Sequence, residues 1–235
     1  MLDTSTPKGR IVAAAVKLAA ERPWQDVHLI DIAEEAGETL AGLREHFDGK
    51  AAVIAGFVRA VDDALLKGAR KPSAGQAPRD ALFEVIMARF DLLSAHKAAI
   101  RSMTSDGSPD LAAMKTVLDS QHWMLAAAGI DSSGAQGVVR TLGLASVYAS
   151  VFKTWLDDDD PGMARTMAAL DRRLRRGQRN LEAMEGAVGT VNGFAKRVGD
   201  LFCGMAQRGA QRGRGDAERP TAGDGPRPSE GNGSG

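Results

Sequence analysis

Cysteine is almost missing from this chain. With Cys203 alone, an intramolecular disulfide and a thiolate metal cluster are both excluded. A single cysteine on an apolar helical face reads as inert packing. Long hydrophobic runs are missing too. No stretch approaches the roughly 18–20 apolar residues that a membrane span needs, and the opening MLDTSTPKGR has no apolar signal-peptide core. The expected location is therefore the cytoplasm. Period-two alternation never persists, which argues against strands. His28, His46, His96 and His122 share no metal-ligand spacing, and neither a P-loop nor GxGxxG occurs. No carboxylate is paired with a nucleophile in a catalytic pattern. The chain is expected not to be an enzyme and to need no metal or other cofactor.

What is present is ordinary in bulk and uneven in detail. Its 235 residues are 43% hydrophobic and 26% charged, with a formal net charge of zero. That length is enough for one or two domains with a substantial core. Residues 1–66 hold seven basic and eleven acidic side chains, a net of −4. Residues 172–219 hold eleven basic and five acidic, a net of +6. The electropositive part is near the end, not the beginning.

Apolar residues recur every three or four positions along most of the chain, which predicts an all-α fold. The first helix is expected from about Pro7 to Glu21, with Ile11, Ala14, Ala15 and Leu18 inward, ending at Pro23 and Trp24. A second spans about Leu29 to Ala36 and closes on Gly37, a residue tolerant of left-handed backbone. Thr39 should cap a third helix that reaches His46, and a fourth runs from Lys50 to about Lys67. The Gly/Pro/Ser segment 68–78 marks a boundary. Residues 7–67 thus form one unit and 79–180 a second. In the second unit one helix is expected over about Arg79–Arg101, broken by SDGSPD, and another starts at Pro109 and stops at Gly129. Asp131, Ser132 and Ser133 are cap candidates for a long helix to about Leu156. Asp160 should cap a helix that starts at Pro161, and Asp157–Asp160 read as a solvated turn rather than a cation site. Arg172, Arg173, Arg175 and Arg176 fall in that helix's last turns, where cations complement its dipole. Residues 181–206 form a separate amphipathic segment. There Leu181, Met184, Val188, Val191, Ala195, Val198, Phe202 and Met205 are spaced alternately by three and four, an a/d seam. Residues 207–235 are expected to be a disordered tail.

Residues 10–57 resemble the N-terminal domain of the TetR family of transcriptional regulators. The matching features are DIAEEAG at 31–37, the core Leu43-Arg44-Glu45-His46-Phe47, and Lys50 opening the next helix. Ile32 and Ala36 pack the second helix, Gly37 turns the chain, and Leu43 and Phe47 pin the third. The third helix then exposes a face to a major groove. The resemblance implies a ligand-responsive repressor that binds an operator as a homodimer and takes a small apolar effector. It assigns DNA contacts to Thr39, Leu40, Ala41, Gly42, Arg44, His46 and Lys50. Among these, His46 and Lys50 match the family's phosphate contacts. Arg44 replaces the usual tyrosine with a guanidinium, itself a good phosphate ligand. Glu38 and Leu40 also differ from the usual residues.

Phe83, Met87, Phe90, Trp123, Tyr148 and Phe152 are the candidate lining of an effector pocket. Tyr148, the only tyrosine, is the best candidate for a polar contact. A second resemblance is to ubiquinone-biosynthesis lipid-binding proteins, which share this fold but not its DNA binding. It rests on Arg79-Asp80-Ala81-Leu82, on the acidic turn followed by proline, and on the Gly-rich amphipathic segment. That alternative would bring Leu181–Met205 to a membrane surface.

Overall fold

A computed structural model describes residues 2–105 and 111–185. Among them the chain is all-helical. α1 (Pro7–Glu21) leads through a 3₁₀ turn (Trp24–Asp26) to α2 (Leu29–Glu35), α3 (Leu40–His46) and α4 (Lys50–Gly68). After the irregular residues 69–77 come α5 (Pro78–Ser94), α6 (Lys97–Ser105), α7 (Leu111–Ala127), α8 (Gly134–Leu156) and α9 (Ala164–Glu185).

The first four helices follow from local chemistry. Thr6 is extended and its hydroxyl accepts from the Gly9 amide at 3.1 Å, while Pro7 fills a position that needs no donor. Thr39 caps α3 in the same way, accepting from Gly42 N at 3.0 Å. Between them Gly37 turns the chain at φ +67°, where a side chain would be strained. Gly56 of α4 has a different job. A Cβ there would lie 2.8 Å from the Phe47 ring and 3.1 Å from Val12, so the glycine lets Phe47 wedge between α1 and α4.

α1 packs against α2, α3 and α4, and also against α6; α4 in turn packs on α5 and α7. The buried side chains therefore form one cluster that runs from Ile11 to Leu174 across the irregular segment. α8 packs on α9, and α5 bridges α7 and α9.

Three expected boundaries are corrected. The helix expected over 79–101 is two helices: His96 N donates to Leu93 O at 2.9 Å, and His96 O then accepts from Ile100 N at 3.0 Å. The turn re-aims Ala99 and Ile100 toward α1, a tertiary demand that periodicity does not reveal. Pro161 does not start α9, which begins at Ala164. The intervening Met163 sits at φ +51°. Finally, α9 continues to Glu185, past the boundary expected at 181. The basic run 172–176 accordingly lies in mid-helix instead of the last turns. The rest of the amphipathic segment, Cys203, the tail 207–235 and Pro109 lie outside the described residues.

The acidic turn is also not simply solvated. Asp158 is 2% exposed and accepts from Thr166 N at 2.9 Å and Thr166 Oγ1 at 2.7 Å. Burial opposes its ionisation, but these bonds and the Asp160 amide outweigh that and hold its carboxyl below the usual value. Asp160 stays exposed and accepts from Gly162 N at 3.0 Å and Ala164 N at 3.1 Å. Two aspartates, rather than one, thus secure the start of α9.

Candidate nucleic-acid interface and the polar seam behind it

The turn from α2 to α3 presents a short helix on a firm base. Ile32, Ala33 and Ala36 are buried beneath α2, and Leu43 and Phe47 are 1% and 5% exposed beneath α3. The opposite side of α3 is open. Thr39, Ala41, Arg44, Glu45 and His46 are exposed, Leu40 is 48% exposed, and Gly42 is half-buried. Six of the seven candidate DNA contacts therefore share this helix and its cap. Lys50 is placed differently. Its ammonium donates to Trp24 O at 2.6 Å and lies 4.4 Å from the centre of the Trp24 ring, tying the start of α4 to the 3₁₀ turn.

The acids around this surface are handled unequally. Arg10 pairs with Glu38 at 2.5 Å, Lys17 with Glu35 at 2.6 Å, and Arg22 with Asp31 at 2.8 Å. Asp31 also accepts from His28 N at 2.7 Å, and this bond is the main reason its carboxyl is held below the usual value. In each case α1 or its end supplies the base and α2 or the following turn the acid. Arg10 thus neutralises Glu38 where it stands against the start of α3, its Oε2 only 3.3 Å from where a Cβ on Gly42 would lie. Glu45 and Asp48 stay exposed, and among the described residues neither forms an ion pair.

Behind the interface lies a cluster that sequence reasoning missed. Asp62 of α4, Arg89 of α5 and Ser120 of α7 are 8%, 4% and 1% exposed. An Arg89 guanidinium nitrogen pairs with Asp62 Oδ1. Ser120 Oγ donates to the same oxygen at 2.9 Å, and Arg89 Nε donates to the Tyr148 hydroxyl of α8 at 3.0 Å. Burial pushes the Tyr148 phenol up from its ordinary value, against the lowering effect of Arg89. Four helices are thus joined by one polar chain. A signal for it existed: Arg89 follows Ile86 by three positions and precedes Leu93 by four, which puts a charge on an inward stripe. A second junction lies nearby, where Ser102 Oγ of α6 accepts from Trp24 N at 2.9 Å and donates to Arg22 O at 3.2 Å. His96 meets Phe57 edge-on at 5.5 Å, and desolvation lowers its pKa.

The six candidate pocket residues are not gathered around one cavity. Phe90 and Tyr148 are buried and stacked at 5.3 Å, and Phe90 stacks on Trp155 at the same distance. Phe152 packs beside Tyr148 at 5.9 Å. Trp123 is 50% exposed and faces outward against His122. Phe83 and Met87 do line an open groove of about 490 Å³ between α5 and α9, together with Met163 and Met167. Among the described residues no three His, Cys, Asp or Glu side chains are grouped to hold a metal. Nor is any helix there long and apolar enough to cross a membrane.

No protein-family model and no curated protein matches the chain. Solved structures do match. The TetR transcriptional regulator from Nitrosomonas europaea ATCC 19718 is 25% identical with a TM-score of 0.57, covering 73% of this chain and 97% of that one. A TetR transcriptional regulator from Rhodococcus sp. RHA1 is 22% identical at TM-score 0.55, covering 73% and 94%. A TetR-family regulator from Streptomyces coelicolor is 17% identical at TM-score 0.51, covering 89% and 100%.

Proposed function

Starting from the TetR-type fold that the chain shares with these regulators, we propose that it is a DNA-binding transcriptional regulator acting as a homodimer. The observation that carries this reading is the outer face of α3. It is small at Ala41 and Gly42, capped at Thr39, flanked by Arg44 and His46, and braced from beneath by Leu43 and Phe47. A helix presented this way enters a major groove, and two copies related by a two-fold axis address half-sites about one helical turn apart. Arg44 and His46 hold phosphates, and Thr39, Leu40, Ala41 and Gly42 make the close approach. Lys50 stiffens the base of the interface through Trp24.

The open groove at Phe83 and Met87 supports a ligand response as part of this reading. An apolar effector entering the groove at Phe83 and Met87 would press on α5, whose Arg89 is bonded to α4 through Asp62. α4 is continuous with the interface, so a shift there would change the spacing of the two heads.

The test is binding of the full chain to duplex DNA from upstream of its own gene, titrated across salt. Affinity should fall steeply as salt rises, and Arg44→Ala should reduce the slope of log K against log salt by about one. Binding to anionic vesicles with no DNA binding at low salt would replace this reading with the lipid-binding one.

A further inference from the structure

The centre of the outward face of α3 is an acid. Glu45 is two residues from Leu43 and two from Phe47, so at about 100° per residue it lies about 160° from both buried anchors. Ala41 stands one turn earlier on the same stripe, with Gly42 beside it. Arg44 and His46 flank Glu45 by about 100° on either side. The cations are therefore set toward the two rims of whatever α3 enters, and the carboxylate points at its floor.

Three other head acids are paired with Arg10, Lys17 and Arg22, whereas Glu45 is exposed and makes no ion pair among the described residues. A carboxylate is only an acceptor. In a major groove, guanine presents N7 and O6 acceptors and thymine presents O4, and both repel it. Cytosine presents the N4 amino donor, the pairing expected for Glu. Seven residues at about 1.5 Å each make α3 about 10 Å long, against a groove about 12 Å wide, so all of it fits.

We propose that Glu45 is a specificity-determining residue that accepts a hydrogen bond from the N4 amino group of one cytosine in each half-site and rejects guanine and thymine there. This rests on the DNA-binding reading above.

The experiment is selection from random-sequence duplexes by the full-length wild type, Glu45→Ala and Glu45→Gln. Thermal midpoints should match, since Glu45 is exposed and unpaired. Wild type should enrich a motif with one position held to cytosine by about tenfold or more over guanine or thymine. Glu45→Ala should lose the preference at that position alone. Glu45→Gln should move it toward adenine, whose N6 and N7 match a carboxamide. Replacing the selected cytosine with a 2-pyrimidinone nucleotide, which lacks the amino group, should weaken wild type and leave Glu45→Ala unchanged. A motif with no such cytosine, or one unaltered by Glu45→Ala, overturns the inference and leaves the regulator standing. Failure of wild type to enrich any sequence overturns the regulator and the inference with it.

Discussion

Charge is arranged in opposite ways on the two sides of α4. On the outer side, Arg10–Glu38, Lys17–Glu35 and Arg22–Asp31 bridge α1 to α2 and its turn in contact with water. On the inner side, Asp62 and Arg89 meet with almost no exposure, and Ser120 and Tyr148 complete their bonding. Exposed pairs are screened and contribute little stability, so their main effect is on where the head's field points. A buried pair carries a large desolvation cost. Breaking it strands a charge, even where an apolar replacement of the whole pair would do as well. The outer set can vary at little cost to folding. The inner set fixes how α4, α5, α7 and α8 meet.

The hardest test of that contrast is Arg89→Met, which leaves Asp62 buried without its ion partner. Stability to urea should fall by about 3–5 kcal/mol, and the double variant Asp62→Leu/Arg89→Met should recover much of the loss. A single variant of wild-type stability would erase the distinction between the two sides. Leu43→Ala should cost about 2–5 kcal/mol through the cavity left beneath α3, measured by thermal unfolding. DNA binding should weaken more than in the Arg89 variant, because α3 loses its brace directly.

Asp158→Ala should cost about 1–3 kcal/mol, since Thr166 N and Oγ1 lose a buried acceptor. The same residue sets an acid-side dependence. Its folded pKa lies below the ordinary 3.8, so its contribution is complete above that value and disappears as pH falls through the folded one. A chain carrying Asp158→Asn should show a flatter stability profile below about pH 4. The smallest effect should come from the outer side. Arg10→Ala should change stability by only about 0.2–1 kcal/mol. It should nevertheless weaken DNA binding at low salt, because the Glu38 carboxylate beside Gly42 then loses its neutralising partner.

Much of the head was legible in the sequence because its determinants are local. Thr39 capping α3, Gly37 at positive φ and Leu43 with Phe47 inward each follow from residues within one or two turns of each other. The same holds for the exposure of Ala41, Arg44 and His46, whereas Glu45, exposed between the last two, was not among the contacts assigned from the sequence. The body was legible as helical, but its helix count was short by one, since 79–101 holds α5 and α6, and its side chains were not legible as a site. Of the six residues read as a pocket lining, Phe90 and Tyr148 are stacked core, Phe152 packs beside Tyr148, Trp123 is at the surface, and only Phe83 and Met87 line a groove. Spacing puts an aromatic residue on a stripe; it does not say whether the neighbouring helix fills the space in front of it.

The chain by itself thus determined where α1 to α4 begin and end, which face of α3 is presented, and the all-helical, TetR-type character, because caps, turns and periodicity act over a few residues. Tertiary structure alone decided that Arg89 finds Asp62, that Arg10 restrains Glu38, that α5 breaks at Ala95 so α6 can meet α1, and that Asp158 goes inside. A charged side chain far from its partner in sequence has no local signature of that partner, and only the packing of helices brings the two together.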